Sequence, residues 1–244
     1  MHNCRFWSVF SDFVRCFAPA ALFFVSQSSL AVVNLEVTRV VFNGDDRTLS
    51  LTLANSDLQP TLVQVWTDNG DPLLAPDKVI TPMVAIPPVF SMAPGEMRSI
   101  KLLLTSRQAL SSNKESLLWL NIFQIPPQTQ QDRQAPQKVL LPMRIRLKVF
   151  IRPQGINAPI ESDGHKLSFT LQQDEPPKLI VHNPTPWHMT LSDITCGHYT
   201  AETSMVPPQS SQPIMLNGSK GTCKTLQYNL INDSGNRWQY STHL

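Results

Sequence analysis

The chain has 244 residues, a formal net charge of +2 and 41% hydrophobic residues, a balance that suits one or two folded domains and excludes disorder as the main state. Near-neutral charge with no separate basic block gives no case for a nucleic-acid binder. Nine Gly and 21 Pro favour turns and extended segments over a helix-rich fold.

Residues 1–31 read as a secretory signal. Arg5 and Arg15 supply positive charge, Phe17 to Val25 form a short apolar core, and Ser29-Leu30-Ala31 puts small residues where a signal peptidase reads. The apolar run falls short of the ~20 residues a membrane span requires, and no later stretch approaches that length. A retained membrane anchor is the rival reading. Cleavage would remove Cys4 and Cys16 and leave Cys196 and Cys223 in an oxidising compartment, an even pair that suits one disulfide. The alternative is a metal site built from Cys196, His198, Cys223 and His188, although that spacing matches no paired Cys-x-x-Cys arrangement.

From Val32 the alternation of Val33, Leu35, Val37 and Val41 predicts a strand, with Arg39 on the same apolar face and in need of a partner. Asn43-Gly44-Asp45-Asp46 is turn chemistry, Leu49, Leu51 and Leu53 mark a second strand, and Asn55-Ser56-Asp57 turns again. Further strands are expected at Thr61 to Thr67, Val79 to Ile86, Met97 to Thr105 and Leu117 to Ile125, with breaks at Asn69-Gly70-Asp71-Pro72, Pro87-Pro88 and Ala93-Pro94-Gly95. Regularly spaced short strands argue for an antiparallel sandwich over 32–152.

That sandwich is organised around Lys138 to Pro153, KVLLPMRIRLKVFIRP. Odd positions from Val139 to Ile151 are apolar, while Lys138, Arg144, Arg146, Lys148 and Arg152 fall on even positions, a period of two with one oily and one basic face. Fully extended, the run spans about 45–50 Å, more than a small sandwich needs. Pro142 confines its part of the strand to a sheet edge or a bulge. The run is either an exposed edge on which another chain's strand docks, or an over-long core strand. After Gln154 to Asn157 the pattern starts afresh, with strands expected at His165 to Gln172, Lys178 to His182, His188 to Thr195 and Lys224 to Ile231, a second β-sandwich over 157–244.

Four stretches carry a family resemblance: TRVVFNG at 38–44; IPPVFSMAPGEMRSIKLL at 86–103; ESLLWLNIFQIPP at 115–127 with IRLKVFIRP at 145–153; and HNPTPWHMTL at 182–191 with INDSG at 231–235. In order and spacing they resemble the periplasmic chaperones of the chaperone–usher pilus pathway. The resemblance implies an all-β chain of two immunoglobulin-like β-sandwich domains at an angle, with a cleft between them. It implies that Arg39 and Lys148 grip the terminal carboxylate of a pilus subunit. Val139, Leu141, Met143 and Ile145 would form the ridge lent to that subunit, and Glu115, Arg152 and Asp233 an ion network joining the domains.

The implied partners are pilus subunits and an outer-membrane usher, the implied location is the periplasm, and no cofactor or metal is implied. Self-association of the free protein is left open. The alternative function is that of a secreted immunoglobulin-like pilus subunit or adhesin. An enzyme is disfavoured, because His165, His182, His188 and His198 are scattered over strands and no GxSxG or HExxH motif occurs.

Overall fold

The computed structural model describes residues 33–125, 141–219 and 221–244. The signal-like segment and the ridge position Val139 lie outside the described residues.

The first domain contains β1 (Val33–Leu35), β2 (Arg39–Phe42), β3 (Thr48–Asn55), β4 (Thr61–Asp68), β5 (Met83–Ile86), β6 (Val89–Met92), β7 (Met97–Leu104), β8 (Ser116–Ile125) and β9 (Met143–Ile151). They form a four-stranded sheet in the order β1-β3-β7-β5 and a five-stranded sheet in the order β2-β9-β8-β4-β6. Alternation along each strand drives the packing. Leu51 and Leu53, Ile100, Leu102 and Leu104, Val63 and Val65, Leu118, Leu120 and Ile122 all enter one buried core, and the intervening polar residues face outward.

The first expected strand is in fact two. A bend at Glu36 to Thr38 separates β1, which joins β3, from β2, which runs parallel to β9 in the opposite sheet. Crossing between sheets shifts the parity. Val40 and Phe42 become the core residues of β2, while Val37 is 40% exposed. Arg39 therefore stands on the outer face, not on the apolar face that simple alternation assigned to it. The strand expected at Val79 to Ile86 is shortened to β5, which begins at Met83 directly after Pro82, a residue with no N–H for the ladder, and β6 was not foreseen.

The long run enters its sheet only at Met143. Leu141 and Pro142 precede the ladder, which accords with proline's missing N–H. Leu147, Val149 and Ile151 are buried in the core, Ile145 packs half-buried at its margin, and Met143 is exposed. One edge of β9 pairs with β8 along its full length, from Met143↔Gln124 to Ile151↔Ser116. The other edge pairs with β2 only from Lys148 to Ile151, so among the described residues nothing covers that edge from Met143 to Leu147.

The second domain holds β10 (Ser168–Gln172), β11 (Lys178–Asn183), β12 (Met189–Cys196), β13 (Tyr199–Ala201), β14 (Ser204–Val206), β15 (Ser210–Met215), β16 (Thr225–Ile231) and β17 (Arg237–His243). Its sheets are β10-β11-β15 and β13-β12-β16-β17, with β14 also on β12, and they enclose a core that includes Leu179, Val181, Leu191, Ile194, Leu226 and Leu230. His165 lies in a 3₁₀ turn, Glu161–Lys166, rather than starting a strand. Cys196 and Cys223 are joined by a disulfide, and His188 turns to the first domain instead of toward them.

Candidate functional site

A transverse row of side chains crosses the outer face of the five-stranded sheet. Arg39 on β2 pairs with Lys148 on β9, Lys148 with Trp119 on β8, and Trp119 with Asp68 on β4. Paired residues in a ladder project to the same face, so these four side chains stand abreast.

Arg39 is half-buried. Its Nη1 donates to the Ile231 carbonyl of the second domain at 2.9 Å, and its guanidinium lies 5.6 Å from the centre of the Phe150 ring. Its Nε is buried and has no hydrogen-bond partner among the described residues. Burial lowers the Arg39 pKa, opposed by the negative charges of Asp233 and Glu115. Burial also lowers that of Lys148, and the charge of Arg39 adds to the effect. Lys148 Nζ lies 5.8 Å from the Trp119 ring centre, and no acid pairs with it among the described residues. Two adjacent cations held partly out of water favour an anion that would touch both.

Beside this pair, Arg152 is 2% exposed at the end of β9. Its Nε donates to Glu115 Oε2 at 3.0 Å, while Nη1 and Nη2 each reach an Asp233 oxygen at 2.7 Å in a bidentate fork. Burial pulls the Arg152 pKa down, but its bonds to Asp233 and Glu115 outweigh that and leave it raised. Glu115 Oε1 accepts from the His188 backbone N–H at 3.0 Å and meets His188 Nδ1 at 2.9 Å, and the Glu115 N–H donates to the Pro186 carbonyl at 2.8 Å. Asn183 shapes the turn that brings these residues into place, its Nδ2 donating to Trp187 and Val206 carbonyls. Glu115 and Arg152 belong to the first sandwich, and Asp233 and His188 to the second, so the network bridges them.

The ridge residues are not equivalent. Leu141 is 74% exposed and Met143 41%, whereas Ile145 already packs on the first core. Residues that the sequence reasoning passed over complete the surroundings. Arg146 Nη2 contacts both Asp68 oxygens, at 2.7 and 3.0 Å, and its guanidinium lies 4.6 Å from the Trp119 ring centre. Asn121 Nδ2 donates to Asp68 at 2.6 Å and its Oδ1 accepts from Arg146 Nε at 3.1 Å. Asp68 falls between the expected strand Thr61 to Thr67 and the turn that begins at Asn69; its even parity with Leu62 and Trp66 along β4 was the available clue.

Fold and site together define a class: a two-domain immunoglobulin-like protein with a cationic pair beside a strand edge that no described residue covers. The chain belongs to the pilus assembly chaperone family of the chaperone–usher pathway. Residues 32–157 match the family described as pili and flagellar-assembly chaperone, PapD N-terminal domain, and residues 164–242 match pili assembly chaperone PapD, C-terminal domain. The chain is similar to the probable fimbrial chaperone YadV of Escherichia coli K12, with 31% identity over 90% of this chain and 92% of the relative. Its fold resembles the crystal structure of the YadV chaperone, with a TM-score of 0.72 and 27% identity over 88% of this chain and 100% of that one. It also resembles the SafB chaperone solved in complex with the Salmonella enterica SafA pilin, with a TM-score of 0.76 and 23% identity over 89% of this chain and 98% of that one.

Proposed function

We propose that this chaperone works in the periplasm, where it captures a newly arrived pilus subunit, lends it the uncovered edge of β9 as a missing strand, and delivers it to an outer-membrane usher. The observation that carries the reading is the continuity of that edge with the Arg39–Lys148 pair. A strand added along Met143 to Leu147 would end where β2 takes over at Lys148, beside two cations suited to a chain-terminal carboxylate.

Magnitudes divide the work. Inserting Val139, Leu141 and Met143 into a subunit groove contributes roughly 1.5–3 kcal/mol per fully buried side chain. Hydrogen bonds to the carboxylate contribute about 1.5–3 kcal/mol each. Three ridge side chains against one such bond from each of two cations make the apolar ridge the larger share, and the cations set the register, because a slip of one residue would present Arg144 in place of Met143. Ile145, half-buried in its own sandwich, has less surface to offer than its two neighbours toward the N-terminus. The Glu115–Arg152–Asp233 network acts here as an orientation device, holding Ile231 of the second domain against Arg39. The complex of SafB with a pilin supports a subunit as the partner class.

The test is titration of the purified chain with a strand-forming peptide ending in a free carboxylate and with the same peptide amidated. Preference for the free acid, lost in Arg39→Ala and Lys148→Ala, is expected. Equal binding of the two peptides, or full retention of the preference in both variants, would contradict the cleft assignment.

A further inference from the structure

Among the described residues no acid is paired with Lys148, and the acid of its own row is already taken. In the transverse row the residue beyond Trp119 is Asp68, a carboxylate two strands from Lys148 and on the same face. Asp68 is 1% exposed, and an acid so buried with no cation would draw the closest one toward it. Arg146 meets that need from the adjacent row, contacting both Asp68 oxygens. Asn121 and the Gly70 N–H, the latter at 2.6 Å, occupy the remaining acceptor positions. The Trp119 ring stands between the two systems, with Arg146 at 4.6 Å and Lys148 at 5.8 Å from its centre. A tryptophan face attracts a cation without neutralising it, so it holds the ammonium in place and leaves its charge available.

We infer that Arg146, Asp68 and Trp119 form a positioning unit in which Arg146 sequesters the acid of that row, so that Lys148 stays unneutralised and directed at the incoming carboxylate. The inference rests on the carboxylate-gripping reading of Lys148 given above and adds three residues that touch no part of the subunit terminus themselves. It also accounts for three basic residues at every second position of one strand having three separate fates. Arg144 is exposed, Arg146 is paired with an acid, and Lys148 has no acid partner among the described residues.

The experiment uses the full chain and the free-acid and amidated peptides, at about 1 M salt, where the Debye length falls to about 3 Å and long-range effects between exposed charges are screened. Arg146→Gln releases Asp68 and is expected to lower free-acid affinity about tenfold, as for loss of one charged hydrogen bond, with little change for the amide. Adding Asp68→Asn to that variant is expected to restore the affinity, which a purely structural role for Arg146 would not produce. Asp68→Asn alone, which needs no tolerance of the Arg146 change, should bind the free acid at least as tightly as the parent. If the parent does not distinguish acid from amide, the carboxylate reading itself fails. If the parent does distinguish them, two results overturn the positioning unit alone: unchanged affinity in Arg146→Gln, or a loss that Asp68→Asn fails to repair. A severalfold loss in Asp68→Asn by itself overturns it as well.

Discussion

Arg39 and Lys148 are direct partners in the parallel β2–β9 ladder, two cations side by side on one face with no carboxylate paired to either among the described residues. Like charges placed opposite one another destabilise a sheet unless something else uses them. Replacing Lys148 with Met, which keeps the apolar stem and removes the desolvated charge, is therefore expected to leave the chain no less stable in urea unfolding while abolishing preference for a free carboxylate. A clear loss of stability would show that Lys148 has an internal partner.

The same pair sets a pH dependence. Burial and the charge of Arg39 put the folded-state pKa of Lys148 below its ordinary value. Between that lowered value and the unfolded one, the unfolded chain binds more protons, so stability without ligand should rise with pH across this window. Carboxylate affinity should fall over the same rise, because the ammonium is the gripping form, and the fall should begin below the ordinary lysine range of about 10.4. Calorimetric titrations from neutral to alkaline pH check this, and Lys148→Arg should shift the fall upward.

Leu141 and Ile145 share the odd-numbered apolar pattern but not its surroundings. Leu141→Glu is expected to change folding stability by less than about 0.5 kcal/mol and to weaken subunit capture, since the side chain is 74% exposed. Ile145→Glu should destabilise the first domain directly, because that side chain packs on the core. Thermal unfolding beside subunit co-purification separates the two.

Removing Arg152 strands Glu115, which is 4% exposed, between two domains. Arg152→Ala is expected to cost about 3–5 kcal/mol and to separate the unfolding of the two sandwiches into distinct steps. A single transition with unchanged midpoint would show that the network does not couple them.

The Cys196–Cys223 bridge closes a segment with a sequence separation of 27 residues. Its reduction is expected to cost roughly 3–4 kcal/mol on chain-entropy grounds, confined to the second domain. Near- and far-ultraviolet dichroism of oxidised and reduced protein during denaturant unfolding would measure it.

Much of this architecture was legible because alternation and turn chemistry are local. Leu49 to Leu53, Thr61 to Thr67 and the run ending at Ile151 each carry a period of two that the sheets obey. The split of the first strand was not legible, since the switch between sheets at Glu36 to Thr38 depends on which partner strand is nearer, and that is a tertiary fact. The strands β13 to β15 and β17 were missed for a related reason. Gln239, Ser241 and Pro213 are poor strand formers locally but are held by pairing with β16 and β11. Of the site, Arg39, Lys148 and the Glu115–Arg152–Asp233 set were found through their place in family-like motifs. Asp68 shares the parity of Trp66 along β4, but nothing in the spacing of Trp119, Asn121 and Arg146 announces that three strands bring them together with it.

The central claim concerns a strand edge and the cations at its end, and the most direct measurement is a crystal structure of this chain bound to a pilus subunit. The account predicts a subunit strand hydrogen-bonded along Met143 to Leu147, with its terminal carboxylate about 2.7–2.9 Å from nitrogens of both Arg39 and Lys148. A subunit seated elsewhere, with that edge uncovered and the carboxylate away from both cations, would contradict it.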